Sequence, residues 1–243
     1  MQPDPAIIEL RQYTTYPGTR DALIELFERA FIEPQEATGM RILAQLRDLN
    51  DPDRFVWLRG FADMDARRDA LTSFYTGAIW QAHRDAANAT LYDNDNVLLL
   101  RPAHATAGFS LDGLARPPLD ATEATERLIT ITTYAFPRAV PDDFATWFDS
   151  FLAPRLTAAG ATLLARLVSD HSPNSFPRLP VREGEHVFVW LASYATRAAY
   201  DAALIALGRD VTWRAEGFAH LRNQLARPPE VLITAPTRRS ILR

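Results

Sequence analysis

One phrase of this chain occurs twice. Phe55-Val56-Trp57-Leu58-Arg59-Gly60-Phe61 returns, diverged, as Val187-Phe188-Val189-Trp190-Leu191-Ala192-Ser193-Tyr194. Both copies are aromatic and β-branched, the composition of a strand on a half-buried pleated surface. Each is followed by an alanine-rich helical pattern and then a lone tryptophan, Trp80 or Trp213. The strand tryptophans Trp57 and Trp190 and the helix tryptophans Trp80 and Trp213 share one offset, 133 residues. Landmarks repeated at one offset argue for tandem duplication, which limits the fold more than any local propensity does.

Taken in order, residues 7–102 read as one unit. A strand around Ile8–Thr14 precedes a helix that Thr19 caps and that Pro34 bends or ends. A strand from Met40 to Arg47 forms a hairpin with the Trp57 strand. Asp63 caps a further helix, the Trp80 helix follows, and Val97 to Leu100 is the closing strand. This β-α-β-β-α-β order is the ferredoxin-like split unit. Residues 103–126, rich in Ala, Pro, Gly and Asp, read as a linker, and residues 127–236 repeat the unit with a second hairpin about a dozen residues longer. The basic tail after Pro236 reads as frayed. The fold class is α+β. Each four-stranded sheet leaves one face uncovered, so the two units are expected to close on one another as an intramolecular barrel whose interior holds one small ligand.

Composition removes several chemistries. The chain has no cysteine, and all 26 of its basic residues are arginine. Disulfides, thiolate nucleophiles, Cys-ligated metals, Schiff bases and a P-loop lysine are therefore excluded. A net charge of −4 leaves no footprint for nucleic acid. No apolar run spans a bilayer and no signal peptide is evident, so a cytoplasmic protein without membrane contact is expected. No metal-ligand spacing or dinucleotide fingerprint occurs, and His171 and His186 lie too far apart in sequence to suggest a metal pair. No metal and no cofactor are predicted. A histidine-ligated haem stays open, since one axial histidine has no local signature.

The chemistry-bearing residues cluster in the first unit. Period-2 alternation puts Glu9, Arg11 and Tyr13 on one strand face, and Trp57 and Arg59 on one face of its neighbour. With Ile8, Leu10, Val56 and Leu58 packed beneath the helices, the arginines would point into the barrel, where Glu9 can answer one and the other needs a carboxylate from elsewhere or a bound anion. The second copy aligns Ile129 with position 9, Ile131 with 11, Thr133 with 13 and Ala192 with 59, and so loses the charges. Substrate-binding candidates are Glu9, Arg11, Trp57, Arg59 and Trp80, and Tyr13 and His83 are candidates for proton transfer. The alternative is a Glu9–Arg11–Arg59 network that only fixes strand register.

Glu9-Leu10-Arg11-x-Tyr13, Tyr16-x-Gly18, the Trp57 phrase and Trp80-x-Ala82-His83-Arg84 resemble the NIPSNAP family, from about Ile8 to Pro102 and, more weakly, from Leu128 to Pro236. That family belongs to the dimeric α+β-barrel superfamily, so the resemblance implies a tandem member with a ligand pocket. Its superfamily relatives include cofactor-free oxygenases, lactone isomerases and haem-dependent enzymes. Two functional readings follow. One is a cofactor-independent oxygenase or isomerase acting on an anionic or polar aromatic substrate. The other is a non-catalytic binding or interaction module with a packed barrel, its long hairpin loop or outer helices meeting a partner or a second copy.

Overall fold

The computed structural model describes residues 4–122 and 125–243. The strands are β1 (Ile7–Thr15), β2 (Arg41–Asp48), β3 (Arg54–Phe61), β4 (Leu91–Asp93) and β5 (Val97–Pro102) in the first half. The second half has β6 (Leu128–Ala135), β7 (Thr162–Ser169), β8 (Val187–Tyr194) and β9 (Glu230–Pro236). The sheet runs β3-β2-β9-β6-β8-β7-β5-β1 and closes through β1–β3, with the short β4 attached beside β1. Antiparallel pairs β2–β9 and β5–β7 join the halves into one closed sheet, so the expected intramolecular α+β barrel is present.

The direction of the strand faces is the reverse of the sequence-based expectation. Ile8, Leu10, Val56, Leu58, Leu98 and Leu100 of the first half meet Ile129, Ile131, Val187, Val189, Leu191 and Leu232 of the second in one apolar core. That core is the barrel interior, and it is filled with side chains. Purely aliphatic faces bury best against each other, each such side chain contributing about 1.5–3 kcal/mol. The faces carrying Glu9, Arg11, Trp57 and Arg59 turn outward, under the helices.

Two segments read as loose are parts of this core. Phe109 and Leu111, within the stretch expected to be a plain linker, and Ile241 and Leu242, in the tail expected to fray, all pack into the barrel cluster. Leu242 N–H donates to Leu43 O at 3.1 Å, and Arg239, almost wholly buried, donates to Glu28 O and pairs with Glu33. The apolar residues in both segments are too few to show a period, yet enough to close the barrel.

The first half's outer layer is α1 (Arg20–Leu26), a π-helical turn Phe27–Phe31, α2 (Ile32–Glu36), α3 (Met64–Thr76) and α4 (Ala78–Asn88). The second half repeats it with α5 (Phe144–Trp147), a π-turn Phe148–Leu152, α6 (Ala153–Ala158), α7 (Arg197–Arg209), a π-turn Trp213–Gly217 and α8 (Phe218–Gln224). Asp63 caps α3 as expected, accepting from Ala66 N–H at 2.7 Å. The helix continues through Pro34 because the preceding π-turn shifts the backbone pairing that the proline ring would block. Gly39 and Gly160 end the matching helices with φ of +95° and +98°, a left-handed conformation that favours glycine.

Candidate active site between sheet and helices

Glu9 and Arg59 face each other across the β1–β3 pair, and Arg11 faces Trp57 one pair further along. Glu9 Oε2 accepts from Arg11 Nη1 at 2.6 Å and from Arg59 Nε at 2.7 Å. Glu9 Oε1 accepts from Arg67 Nε of α3 at 2.6 Å. All four side chains are fully buried. One carboxylate thus holds three guanidinium groups, and the cluster keeps a surplus of two positive charges.

Cation–π contacts offset part of that surplus. Arg11 Cζ lies 5.6 Å and Arg59 Cζ 5.0 Å from the Trp57 ring centre. The Nη2 atoms of Arg11, Arg59 and Arg67 and Trp57 Nε1 are buried and have no hydrogen-bond partner among the described residues. Burial alone would raise the pKa of Glu9, but the charges of Arg59, Arg11 and Arg67 more than reverse this and hold it far below the usual carboxylate range. For Arg67 burial is the larger effect and pushes its pKa down, against the pull of Glu9.

The cluster lies beneath the wall of a cavity of about 200 Å³ between the first half's sheet and helices, which is lined by Tyr13, Phe27, Phe31, Trp57, Tyr75 and Trp80 among others and by none of the cluster's four charged residues. Two lining side chains connect the cluster to the cavity. Arg11 Nε donates to Tyr13 Oη at 2.8 Å, and Arg59 Nη1 donates to Gln35 Oε1 at 3.3 Å. Since Tyr13 Oη accepts from Arg11, its own proton is free for another acceptor. Burial pushes the Tyr13 phenol up despite the lowering influence of Arg11, so it is a donor at neutral pH.

The cover of this cavity comes from the other half. The long loop between β7 and β8 folds back so that Asn174 Oδ1 and Ser175 Oγ accept from Arg67 Nη1 at 3.0 and 3.1 Å. Phe176 stacks on Tyr75 with ring centres 5.9 Å apart, and Arg178 and Leu179 complete the lining. Part of the loop that the sequence offered to an external partner thus contacts the first half of its own chain. At its neck His171 and His186 come together, ring centres 5.0 Å apart, although far apart in sequence. No group of three metal-ligating residues occurs among the described residues.

Of the expected site residues, Tyr13, Trp57 and Trp80 line the cavity, and Glu9, Arg11 and Arg59 lie beneath its wall. His83 does not line it; its ring stands at the margin, 6.1 Å from that of Phe31. Arg67 was missed, although a signal existed: it occupies the apolar stripe of α3 with Ala70, Leu71 and Phe74. Phe176 had no such signal, because loop contacts leave no periodicity.

The strand register also corrects the alignment of the two copies. Trp190 faces Thr132, and Ala192 faces Thr130. The counterparts of Glu9, Arg11 and Tyr13 are therefore Thr130, Thr132 and Tyr134, one residue beyond the sequence-based pairing, and Tyr200 stands fourth in α7 as Arg67 does in α3. A second cavity lies between the second half's sheet and helices; neither it nor the first is lined by a histidine, so their residues do not fit a histidine-ligated haem.

No family profile matches the chain, and neither does any curated protein. Among solved structures, an anthrone oxidase-like protein superposes with a TM-score of 0.58 at 15% identity, over 96% of this chain and 92% of its own. A provisionally named monooxygenase from Lactobacillus acidophilus NCFM gives 0.53 at 12% identity, over 96% and 94%. A NIPSNAP family protein from Agrobacterium tumefaciens str. C58 matches 40% of this chain and 91% of its own, at 18% identity and a TM-score of 0.37. At these identities the first two likenesses concern the fold.

Proposed function

We propose that this chain is a small-molecule-binding α+β-barrel protein that acts as a cofactor-independent oxygenase or isomerase on a single-ring aromatic or enolisable substrate. The observation that carries the reading is the buried surplus of positive charge behind Tyr13. A cavity of about 150 Å³ can take a benzene-sized molecule, so the first-half cavity suits one ring and small substituents. A substrate oxygen against Tyr13 Oη would receive its proton as a hydrogen bond. The field of Arg11, Arg59 and Arg67 would favour the substrate's phenolate or enolate over its neutral form. Glu9 fixes the arginines so that this field is in place before the substrate arrives. The proton lost on forming the enolate passes to water at the cavity, and isomerisation returns a proton from that water to another carbon. In oxygenation, dioxygen is the oxidant: a substrate methylene becomes a carbonyl, one oxygen atom entering and the other leaving as water.

The packed barrel favours a second reading, a binding module without chemistry, but the cavity lies outside the barrel and stays accessible to either. The test is a panel of single-ring phenols and cyclic ketones, followed by thermal shift, oxygen electrode and proton-exchange NMR without added cofactor. The expected result is stabilisation by at least one compound, turnover of it, and loss of turnover by about a hundredfold in Tyr13→Phe. Binding with neither oxygen uptake nor proton exchange would leave the second reading. No binding by any compound rejects both.

A further inference from the structure

The second half contains the counterpart cavity, and its chemistry is different. Where the first half has Glu9, Arg11, Arg59 and Arg67, the second has Thr130, Thr132, Ala192 and Tyr200. These smaller or uncharged side chains leave a cavity of about 580 Å³, against about 200 Å³ in the first half. That volume is within the range of sites for drug-sized ligands. Trp190 and Trp213 line it as Trp57 and Trp80 line the other, and leucines such as Leu152, Leu156 and Leu207 make up much of the wall.

The polar groups at its base are hydroxyls. Burial pushes the Tyr134 phenol well above its ordinary range; Trp190 N–H lies near enough to lower it slightly without reaching hydrogen-bond geometry. Burial likewise raises the Tyr194 phenol, to about 12. Both are neutral donors at physiological pH. The only charged lining residues are Arg222 and Arg227, both exposed. Arg227 has Glu185 at 3.4 Å, whereas Arg222 forms no ion pair among the described residues.

We propose that this second-half cavity is a distinct binding site for a hydrophobic monocarboxylate, its apolar body inside and its carboxylate at the Arg222 rim. Three features argue for this ligand. The wall is predominantly apolar, the interior offers hydroxyl donors but no charge, and the rim carries cations without an acid in the lining. Leu204 and Phe218, 49% and 57% exposed, leave apolar surface at the mouth for the ligand to cover.

The test is calorimetric titration of the full chain with dodecanoate and with anthracene-2-carboxylate, each paired with its neutral alcohol, and light scattering throughout. Saturable binding of one acid per chain is expected; which acid binds tells an acyl from a polycyclic body, and either supports the site. Arg222→Glu should weaken acid binding by about tenfold or more and leave the alcohol within about twofold. Thr132→Phe, which fills the cavity from β6, should abolish both. Should that variant fail to fold, the exposed Arg222→Glu still decides. No saturable binding of either acid, binding indifferent to Arg222→Glu, or a protein dimer that covers Leu204 and Phe218 in place of ligand would each overturn the proposal.

Discussion

Glu9 and Arg59 are direct partners across the β1–β3 ladder, and Arg59 Nε reaches Glu9 Oε2 at 2.7 Å inside a fully buried cluster. The pair is asymmetric. Glu9 also holds Arg11 and Arg67, whereas each arginine holds only this carboxylate.

That asymmetry sets the first prediction. Glu9→Gln leaves three buried cations without a counter-charge and should cost about 3–5 kcal/mol. Arg59→Met keeps two guanidiniums on Glu9 and removes one surplus charge, so it should cost less, about 1–3 kcal/mol. Urea denaturation of both variants checks the order. Equal losses would mean that the arginines, not the carboxylate, organise the cluster.

The second prediction concerns acid. The folded-state pKa of Glu9 lies far below its ordinary value of 4.5. A depressed carboxylate contributes stability that is complete above the unfolded pKa and is lost as pH falls through the folded one. The chain should therefore lose stability steadily below about pH 4.5, and Glu9→Gln should flatten that slope. Denaturation midpoints between pH 2 and 6 measure it. Identical slopes in the two proteins would assign the acid sensitivity to other carboxylates.

The third prediction concerns the C-terminus. Deleting residues 237–243 removes Ile241 and Leu242 from the barrel core and Arg239 from Glu28 and Glu33. The two apolar side chains alone account for about 3–6 kcal/mol as an upper estimate. A clear fall in Tm is expected by calorimetry, and an unchanged Tm would show the tail to be dispensable.

The fold was legible because duplication left two pairs of tryptophans at one offset and because alternation marks a strand whatever its partner. Which face turned inward was not legible from alternation alone. Both faces of β1 and β3 are buried, so alternation separates two sets of residues without saying which one meets the other half. Aliphatic uniformity was the deciding cue: Ile8, Leu10, Val56 and Leu58 match an equally aliphatic set, while Glu9, Arg11 and Arg59 need partners that helix side chains such as Arg67 and Gln35 supply. The sequence-based alignment places β6 one residue out, and only the ladder partner of Trp190 restores the register. The cover of the first cavity was beyond reach, since it joins residues more than a hundred positions apart, as Arg67 and Asn174 are.

That cover gives the last prediction. Phe176 touches the first half through Tyr75, and its loop is tied down by Arg67 and by Arg182 N–H, which donates to Val97 O at 2.8 Å. Removing the ring opens the cavity wall without disturbing the Glu9 cluster or the barrel. Phe176→Ala should therefore cost no more than about 1–3 kcal/mol, less than truncation of a central core aromatic. A ligand of the first cavity should leave about ten times faster, because water then reaches the Tyr13 contact. A ligand of the second cavity should bind as before, since Phe176 is not in that wall. Stopped-flow dissociation on both ligands decides the matter: equal acceleration at the two cavities would mean that the loop acts on the whole barrel and not as a local cover.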